Sequence, residues 1–285
     1  MPQLFIAIEI LILGGLSIIG CSFVIYCYWK FNVLRTDQLK IVIHIIIFDL
    51  IQQILLFSSA VAFLVIDNQE FILSDYPIIC YGQAALLQYS LLASTAWTTL
   101  IANNLYRTVK YGDRTYRKMV YLMIGFLFPL IMSLLPFAFD AYGISAAFPM
   151  SMCSFNSNKP KIRYFILVFQ DVPIWSTFVY NAIIFTLVIK ELYDHLGSKC
   201  LAENKQIFLL FLYPFLVAVC WGMPAMINQF KVDATVWPII SFGFGSLIGL
   251  LDSYLYCYLS LVRSVKWVGF SLELKIESIE MSPLK

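Results

Sequence analysis

Residues 41–66 read IVIHIIIFDLIQQILLFSSAVAFLVI, an almost unbroken apolar stretch in which His44 and Asp49 are ionisable. A helix needs about 20 apolar residues to cross the hydrocarbon core of a bilayer, and this stretch is long enough. The whole chain has the same character, because 61% of its 285 residues are hydrophobic and 13% are charged. A soluble domain carries about 25% charged residues. Lipid, rather than water, is therefore the expected solvent of this chain.

Seven stretches of the sequence meet the same length test. A transmembrane β-strand is about ten residues of alternating character, whereas these stretches are longer and continuously apolar, so the sequence predicts helices. Prolines inside the spans predict kinks, which a membrane bundle tolerates. These prolines are at positions 129, 136, 173, 214 and 224. The predicted spans, numbered 1 to 7 in chain order, are residues 4–29, 41–66, 78–106, 119–139, 164–189, 206–230 and 236–262.

The orientation of the bundle follows from its basic residues, because cytoplasmic connections are rich in Lys and Arg. Fifteen of the 19 basic residues lie on one side of the predicted spans, in the segments 30–40, 107–118, 190–205 and 263–285. The sequence therefore predicts an all-α membrane protein with seven transmembrane helices, an extracellular N-terminus and a cytoplasmic C-terminus. The chain is predicted to be a multi-pass protein of the plasma membrane.

Two regions are expected, a transmembrane domain over residues 1–262 and a short cytoplasmic tail over residues 263–285. The tail carries Trp267 and Phe270 among charged residues, so it is a candidate helix at the membrane surface. The net charge of +2 does not indicate a nucleic-acid partner. The cysteines and histidines do not form a metal-binding pattern, and no cofactor is expected.

Two cysteines are predicted to face the oxidising side of the membrane. Cys80 lies at the outer end of span 3, and Cys153 lies in the second external loop. A disulfide between them persists in an extracellular compartment and fixes the loop over the mouth of the bundle. The alternative is two unpaired small residues.

Ionisable residues inside membrane spans are costly and indicate function. At about 1.5 Å per helical residue, Asp49 on span 2 and Asp252 on span 7 lie at matching depths from the cytoplasmic face. The two acids are expected to share a proton, an ion or a polar network, which Asn181 joins if it faces inward. The alternative is that each acid is protonated and bonded to a backbone group. The candidate switch network is Asp49, Asn181, Asp252 and Tyr256.

Aromatic residues and one further acid suggest a ligand pocket in the outer half of the bundle. Trp97, Trp175 and Trp221 lie at mid-depth by the same counting, and Asp171 lies in the outer half of span 5. The alternative for the tryptophans is ordinary aromatic packing or lipid contact. The candidate ligand-binding residues are Trp97, Asp171, Trp175 and Trp221.

The second cytoplasmic connection is short and carries five basic residues between positions 107 and 118. Attraction to anionic lipid explains such a loop without any partner, and a docking rim for a cytosolic protein is the functional alternative. The candidate contacts with such a protein are Arg107, Lys110, Arg114, Arg117 and Lys118.

Local motifs give this chain a resemblance to a known family. Span 6 reads Tyr213-Pro214, then Cys220-Trp221 and Ile227-Asn228, which resembles the Y-P…C-W…I-N pattern of the cyclic-AMP-receptor-like family of G-protein-coupled receptors. Further resemblance is carried, in the same order along the chain, by Phe48-Asp49-Leu50, Pro129-Leu130-Ile131 and Asp140-Ala141-Tyr142-Gly143.

The chain departs from the rhodopsin-like receptors. The end of span 3 reads Asn104-Leu105-Tyr106-Arg107 in place of the D-R-Y triplet, and span 7 has Ser253 where D-P-x-x-Y has proline. The family resemblance implies an extracellular ligand and coupling to a heterotrimeric G protein. It does not assign cyclic AMP as the ligand.

Other functional classes remain as alternatives or are disfavoured. A proton- or cation-coupled transporter or channel is the alternative reading of the buried acids. Span 7 contains no lysine for a retinal Schiff base. No catalytic motif is present at useful spacing, so an enzyme is not expected.

Overall fold

The computed structural model describes most of the chain, including the first five predicted helices except residue 66 at the end of span 2. Its bundle is built from helices that alternate in direction, with one short β-hairpin on the outer side. The described residues are 2–35, 37–65, 77–113, 115, 117–144, 153–156, 161–203, 212–216, 219–220 and 242–258.

Spans 1 to 5 are long helices in the described part of the chain, and spans 1, 4 and 5 are each interrupted by a wider π-helical turn. Span 1 consists of Pro2–Glu9, the π-turn Ile10–Gly14 and Gly15–Lys30, and a 3-10 turn follows at Asn32–Leu34. Span 2 is Asp37–Val65, and span 3 is Pro77–Tyr111. Span 4 consists of Lys118–Leu122, the π-turn Met123–Leu127 and Phe128–Ala138. Span 5 consists of Ile162–Ile166, the π-turn Leu167–Asp171 and Val172–Glu203. The described residues 212–216 and 219–220 belong to span 6, and residues 242–258 to span 7.

Four helices in the described part of the chain are long and apolar enough to cross a membrane by length and composition. They are Leu4–Lys30, Leu39–Val65, Lys118–Ala138 and Ile162–Asp194. Their outward faces keep large apolar side chains exposed, for example Ile19 and Phe23 on span 1, as expected where lipid replaces water. The predicted membrane-protein fold is therefore confirmed.

Span 3 lies at the centre of the bundle. It packs against spans 2, 4 and 5 and against both strands of the hairpin, and every residue from 90 to 98 is buried. This part of span 3 is surrounded by protein rather than lipid, and it carries four buried hydroxyl side chains, those of Ser90, Ser94, Thr95 and Thr98. Spans 3 and 5 continue as helices to Tyr111 and Glu203, beyond the predicted ends at 106 and 189.

Two of the predicted proline distortions take the form of π-helical turns. Pro129 follows the π-turn of span 4, and Pro173 follows the π-turn of span 5. A proline lacks the N–H that bonds the carbonyl four residues earlier, and its ring collides with that carbonyl. A wider turn just before the proline relieves both problems.

The second external loop forms a two-stranded antiparallel hairpin from Tyr142–Ile144, named β1, and Cys153–Phe155, named β2. The register pairs Tyr142 with Phe155 and Ile144 with Cys153. Tyr142 is buried and its hydroxyl donates to the Ser133 carbonyl oxygen at 2.8 Å. The hairpin is thereby attached to the outer end of span 4.

Candidate functional site

Two acidic side chains meet inside the bundle. Asp49 on span 2 and Asp252 on span 7 are fully buried, and their carboxyl groups are close enough to interact electrostatically. Ser94 on span 3 donates a hydrogen bond to Asp49 Oδ1 at 2.9 Å. Two neighbouring buried carboxyl groups cannot both be charged without a large cost, so one of them is expected to hold a proton. The two acids and Ser94 connect spans 2, 3 and 7, and a proton shared between the acids stays a prediction.

Two tyrosines extend this cluster toward span 6 and the cytoplasmic side. The Tyr213 hydroxyl on span 6 donates to the Asp252 carbonyl oxygen at 3.5 Å. Tyr256 is buried one helical turn beyond Asp252 and packs in the same apolar core as Tyr213. Residues of spans 2, 3, 6 and 7 therefore meet at the acid pair.

A serine of span 1 bridges two backbone groups of span 7. The Ser17 hydroxyl donates to the Ser246 carbonyl oxygen at 2.5 Å and accepts from the Leu250 N–H at 3.1 Å. Those two backbone groups are four residues apart and lie in a helix that is continuous from 242 to 258. The bridge attaches span 7 to span 1 directly before Asp252.

Span 7 is held to its neighbours by further contacts with its carbonyl oxygens. Gln53 Nε2 on span 2 donates to the Gly245 carbonyl oxygen at 2.9 Å. The Cys21 thiol on span 1 lies 3.4 Å from the Gly249 carbonyl oxygen, and a Cβ at position 249 would approach that sulfur to 2.9 Å. Close helix approach through small residues is typical of membrane bundles.

The outer half of span 5 presents Asp171 to the interior. Asp171 is 3% exposed and ends the π-turn of span 5, and Trp175 lies one turn further on, half-buried. Gln88 on span 3 donates from Nε2 to the Phe169 carbonyl oxygen in this turn at 2.7 Å. Spans 3 and 5 are thus in contact at the turn that ends with Asp171.

Asn181 faces inward, which was the condition for joining the acid pair, but it forms no hydrogen bond with the pair in the described part of the chain. It is 1% exposed, and neither atom of its amide forms a hydrogen bond with another described residue. Its place in the switch network stays a prediction.

Trp97 packs among spans 2, 3 and 4. Its indole stacks on the His44 imidazole of span 2, with ring centroids 4.1 Å apart, and meets Phe126 of span 4 edge-on at 5.3 Å. The approach to span 4 is possible because Gly125 has no side chain. These contacts agree with the alternative of ordinary aromatic packing, and the place of Trp97 in a ligand pocket stays a prediction. Depth counting placed it correctly along span 3 but could not give its direction around the helix axis.

The predicted disulfide is confirmed. Cys80 and Cys153 are bonded, with their Cα atoms 5.1 Å apart. Around them, Ala84, Tyr142 and Phe155 form an apolar cluster. The bond fixes β2 against the outer end of span 3.

The second cytoplasmic connection is organised around Asp113. Arg107 and Arg117 both pair with its carboxylate, and Thr115 donates to it through both its hydroxyl and its backbone N–H. The hydrogen bonds from Thr115, with a further one from Arg107, hold the pKa of Asp113 well below its usual range. Arg107 is thus occupied within the loop, with its side chain 14% exposed, whereas the side chain of Arg117 is 59% exposed.

The remaining predicted cations of this face differ in their engagement. Lys110 donates from Nζ to the Tyr106 hydroxyl at 2.8 Å and lies over the rings of Tyr106 and Tyr111. Lys118 is exposed at the start of span 4. Three other predictions, Arg114, Trp221 and the tail over 263–285, lie outside the described residues.

Three polar residues of this site were not predicted from the sequence. Ser94 donates to Asp49, Ser17 donates to a backbone carbonyl of span 7, and Gln88 donates to a carbonyl within the turn that ends at Asp171. The sequence did contain a reason to single these residues out, because a glutamine inside a membrane span is unusual and a hydroxyl near a buried acid is a natural hydrogen-bond donor. Their partners are distant in sequence, however, and helix rotation decides the contacts.

Comparison with known proteins extends over most of the chain. The model of the 7 transmembrane receptor (Secretin family) matches residues 6–251. Cyclic AMP receptor-like protein G of Dictyostelium discoideum is 28% identical over 189 residues, which is 65% of this chain and 33% of that protein. This chain thus spans about a third of the length of that relative.

Two further relatives are matched over more of their length. G-protein coupled receptor 1 of Arabidopsis thaliana is 24% identical over 272 residues, which is 88% of this chain and 77% of that protein. Cyclic AMP receptor-like protein E of Dictyostelium discoideum is 21% identical over 240 residues, which is 77% of this chain and 68% of that protein.

These matches agree with the motif resemblance and with the observed bundle, and they assign the chain to receptors rather than enzymes. The chain is a multi-pass membrane protein that belongs to the secretin family of seven-transmembrane receptors and is distantly related to the cyclic-AMP-receptor-like proteins.

Proposed function

We propose that this receptor binds an extracellular ligand in the outer half of its bundle and activates a heterotrimeric G protein by rearranging its helices. The proposal is supported above all by the Asp49–Asp252 pair, which joins spans 2 and 7 and reaches span 3 through Ser94. A ligand shifts such an equilibrium by as much as its affinity differs between the two helix arrangements. One shared proton gives the pair two bonding arrangements that helix movement can select.

The ligand is proposed to contact Asp171 and Trp175, together with Trp221, which lies outside the described residues. Asp171 is the buried charge of the outer half of span 5, and the disulfide-bonded hairpin lies over the same end of the bundle. A buried carboxylate favours a ligand group that donates hydrogen bonds or carries positive charge. The names of two relatives nonetheless make cyclic AMP the first compound to test.

The G protein is proposed to dock on the cytoplasmic ends of spans 3 to 5. Lys110, Arg117 and Lys118 present positive charge there, while Arg107 keeps the loop in shape through Asp113. Arg114 and a surface-lying tail over 263–285 are proposed to extend this face and its contact with the bilayer. The transmembrane domain over 1–262 is proposed to carry the whole ligand response.

The decisive experiment measures nucleotide exchange on a purified heterotrimeric G protein in nanodiscs that contain this chain, against a panel that begins with cyclic AMP. We expect a ligand that stimulates exchange, and an Asp252→Asn variant whose basal exchange differs by several-fold at equal receptor content of the nanodiscs. The amide still donates to Asp49, so the fold is retained, but the shared proton is gone.

The proposal is overturned if Asp252→Asn leaves both basal and stimulated exchange unchanged, or if the chain moves protons or cations across proteoliposomes without any partner. The second result would identify a transporter, in which the same acids form a conduction path.

A further inference from the structure

The π-turn of span 5 has a cause that can be read from the sequence. Pro173 lacks a backbone N–H, so the carbonyl four residues earlier, that of Phe169, has no donor within the helix. The chain widens at this point, and the Val172 N–H bonds the Leu167 carbonyl oxygen, five residues back. The Phe169 carbonyl instead accepts from Gln88 Nε2 at 2.7 Å. The amide of Gln88 therefore replaces the donor that proline removes.

The turn decides which residues of span 5 face the interior. Ile162 and Asp171 are 8% and 3% exposed, although nine residues separate them. At 3.6 residues per turn, nine residues are about two and a half turns, which puts the two side chains on opposite faces of a continuous α-helix. The extra width of the π-turn removes about a quarter of a turn and brings both toward the bundle interior.

Both ends of span 5 are anchored, so the turn cannot be lost without consequence. Ile162 packs in the cluster of the hairpin and the disulfide, and Phe185 and Val188 pack against Ala102 and Leu105 of span 3. If the turn became α-helical, one of the two segments would have to rotate by about a quarter turn. Either Ile162 or Asp171 would then leave the interior.

We infer that Gln88 is a positioning residue of the ligand site. Its hydrogen bond to the Phe169 carbonyl holds the π-turn, and the π-turn directs the Asp171 side chain toward the bundle interior. Gln88 acts through span 5 and does not need to touch the ligand. Gln88 is 5% exposed on span 3, whose residues 90 to 98 are all buried, so its amide is expensive to bury without a partner. The assignment rests on the proposed ligand contact of Asp171, but the geometry of the turn is testable without any ligand.

The test reads the rotation of span 5 directly. Ile162→Cys and, separately, Asp171→Cys are each combined with Gln88→Leu, and the labelling of each introduced thiol by a membrane-impermeant methanethiosulfonate is quantified by peptide mass spectrometry in nanodiscs. We expect at least tenfold faster labelling at one of the two positions when Gln88 is replaced. The matched control is Gln83→Leu, because Gln83 lies on the same span and donates to Ser59 of span 2 instead. It should leave both rates unchanged.

A second variant keeps the inference falsifiable if Gln88→Leu fails to fold. Pro173→Ala restores the missing N–H, so the Phe169 carbonyl can be bonded within the helix and the turn can become α-helical. We expect the same labelling change as for Gln88→Leu, and no additional change when the two are combined. Unchanged labelling in both variants would overturn the inference.

A ligand arm separates this inference from the proposed function. If labelling changes and the ligand-stimulated exchange also falls, both stand. Changed labelling with an intact ligand response would keep Gln88 as the residue that sets the turn and remove Asp171 from the ligand site. A lost response with unchanged labelling would refute the positioning role while leaving the receptor assignment in place.

Discussion

Gly125 lies in the π-turn of span 4, directly against the indole of Trp97. A Cβ at this position would lie 2.6 Å from the nearest indole carbon, closer than side-chain atoms approach in a packed protein. The indole cannot retreat easily, because His44 is stacked on it at 4.1 Å. Spans 3 and 4 therefore depend on the absence of a side chain at one position.

We expect Gly125→Ala to destabilise the protein by about 1–3 kcal/mol, the usual cost of overpacking a filled core. The measurement is the thermal melting of the purified variant in the detergent used for the wild type. Gly82→Ala is the matched control, because a Cβ at position 82 meets nothing within 4 Å, and alanine favours a helix over glycine by up to about 1 kcal/mol. Equal melting temperatures for Gly125→Ala and the wild type would contradict this packing.

Residue positions along a helix were more predictable than their directions around it. The matching depths of Asp49 and Asp252 followed from counting residues to the nearest cation, and the two side chains do meet. The same counting put Trp97 at the right depth, yet its ring faces span 4. Depth depends on a rise of about 1.5 Å per residue, whereas direction depends on the rotation of each helix within the bundle.

At the scale of elements, span 7 depends on span 1 for its shape. Ser17 bridges the Ser246 carbonyl oxygen and the Leu250 N–H, so part of the hydrogen bonding of span 7 passes through another helix. Asp252 lies two residues beyond Leu250, so the bridge attaches to span 1 the stretch of span 7 that carries this acid. Span 1 is thereby connected to the proposed switch without touching either acid.

We expect Ser17→Ala to remove the contacts that attach this part of span 7 to span 1 and so to loosen it. Hydrogen exchange of peptides covering 246–253 should accelerate by roughly fivefold, the equivalent of about 1 kcal/mol for one hydrogen bond. Ser133→Ala is the control, since the buried Ser133 hydroxyl donates to the Leu130 carbonyl of its own helix. Exchange that stays at the wild-type rate would mean that the bridge does not shape span 7.

The sequence located the elements well but not their irregularities. Apolar stretches of about 20 residues identify membrane helices because the bilayer thickness is fixed. Where a helix leaves the bilayer this rule no longer applies, so the continuations of spans 3 and 5 to Tyr111 and Glu203 were missed. Pro129 and Pro173 indicated distortions, but whether a proline produces a kink or a π-turn depends on neighbouring donors such as Gln88.

At the scale of the whole molecule, the Cys80–Cys153 bond links elements that are distant in sequence. It closes a loop across a sequence separation of 73 and holds the hairpin, span 3 and the outer end of span 5 in one apolar cluster. Ile162 of span 5 belongs to that cluster, so the bond also anchors the segment whose rotation Gln88 controls. Removing the bond should therefore affect both stability and the outer site.

We expect the double variant Cys80→Ser/Cys153→Ser to lose about 2–4 kcal/mol of stability, because a cross-link of this loop length restricts the unfolded chain strongly. Thermal melting measures the loss, and the impermeant reagent used on Ile162→Cys should label that position faster when the bond is absent. Cys27→Ser is the control, since Cys27 is a free, half-buried thiol on span 1. An alkylatable thiol at Cys153 in the unreduced wild type would show that the bond does not form. Unchanged melting of the double variant would show that the hairpin is held by its apolar contacts and by the Tyr142–Ser133 hydrogen bond instead.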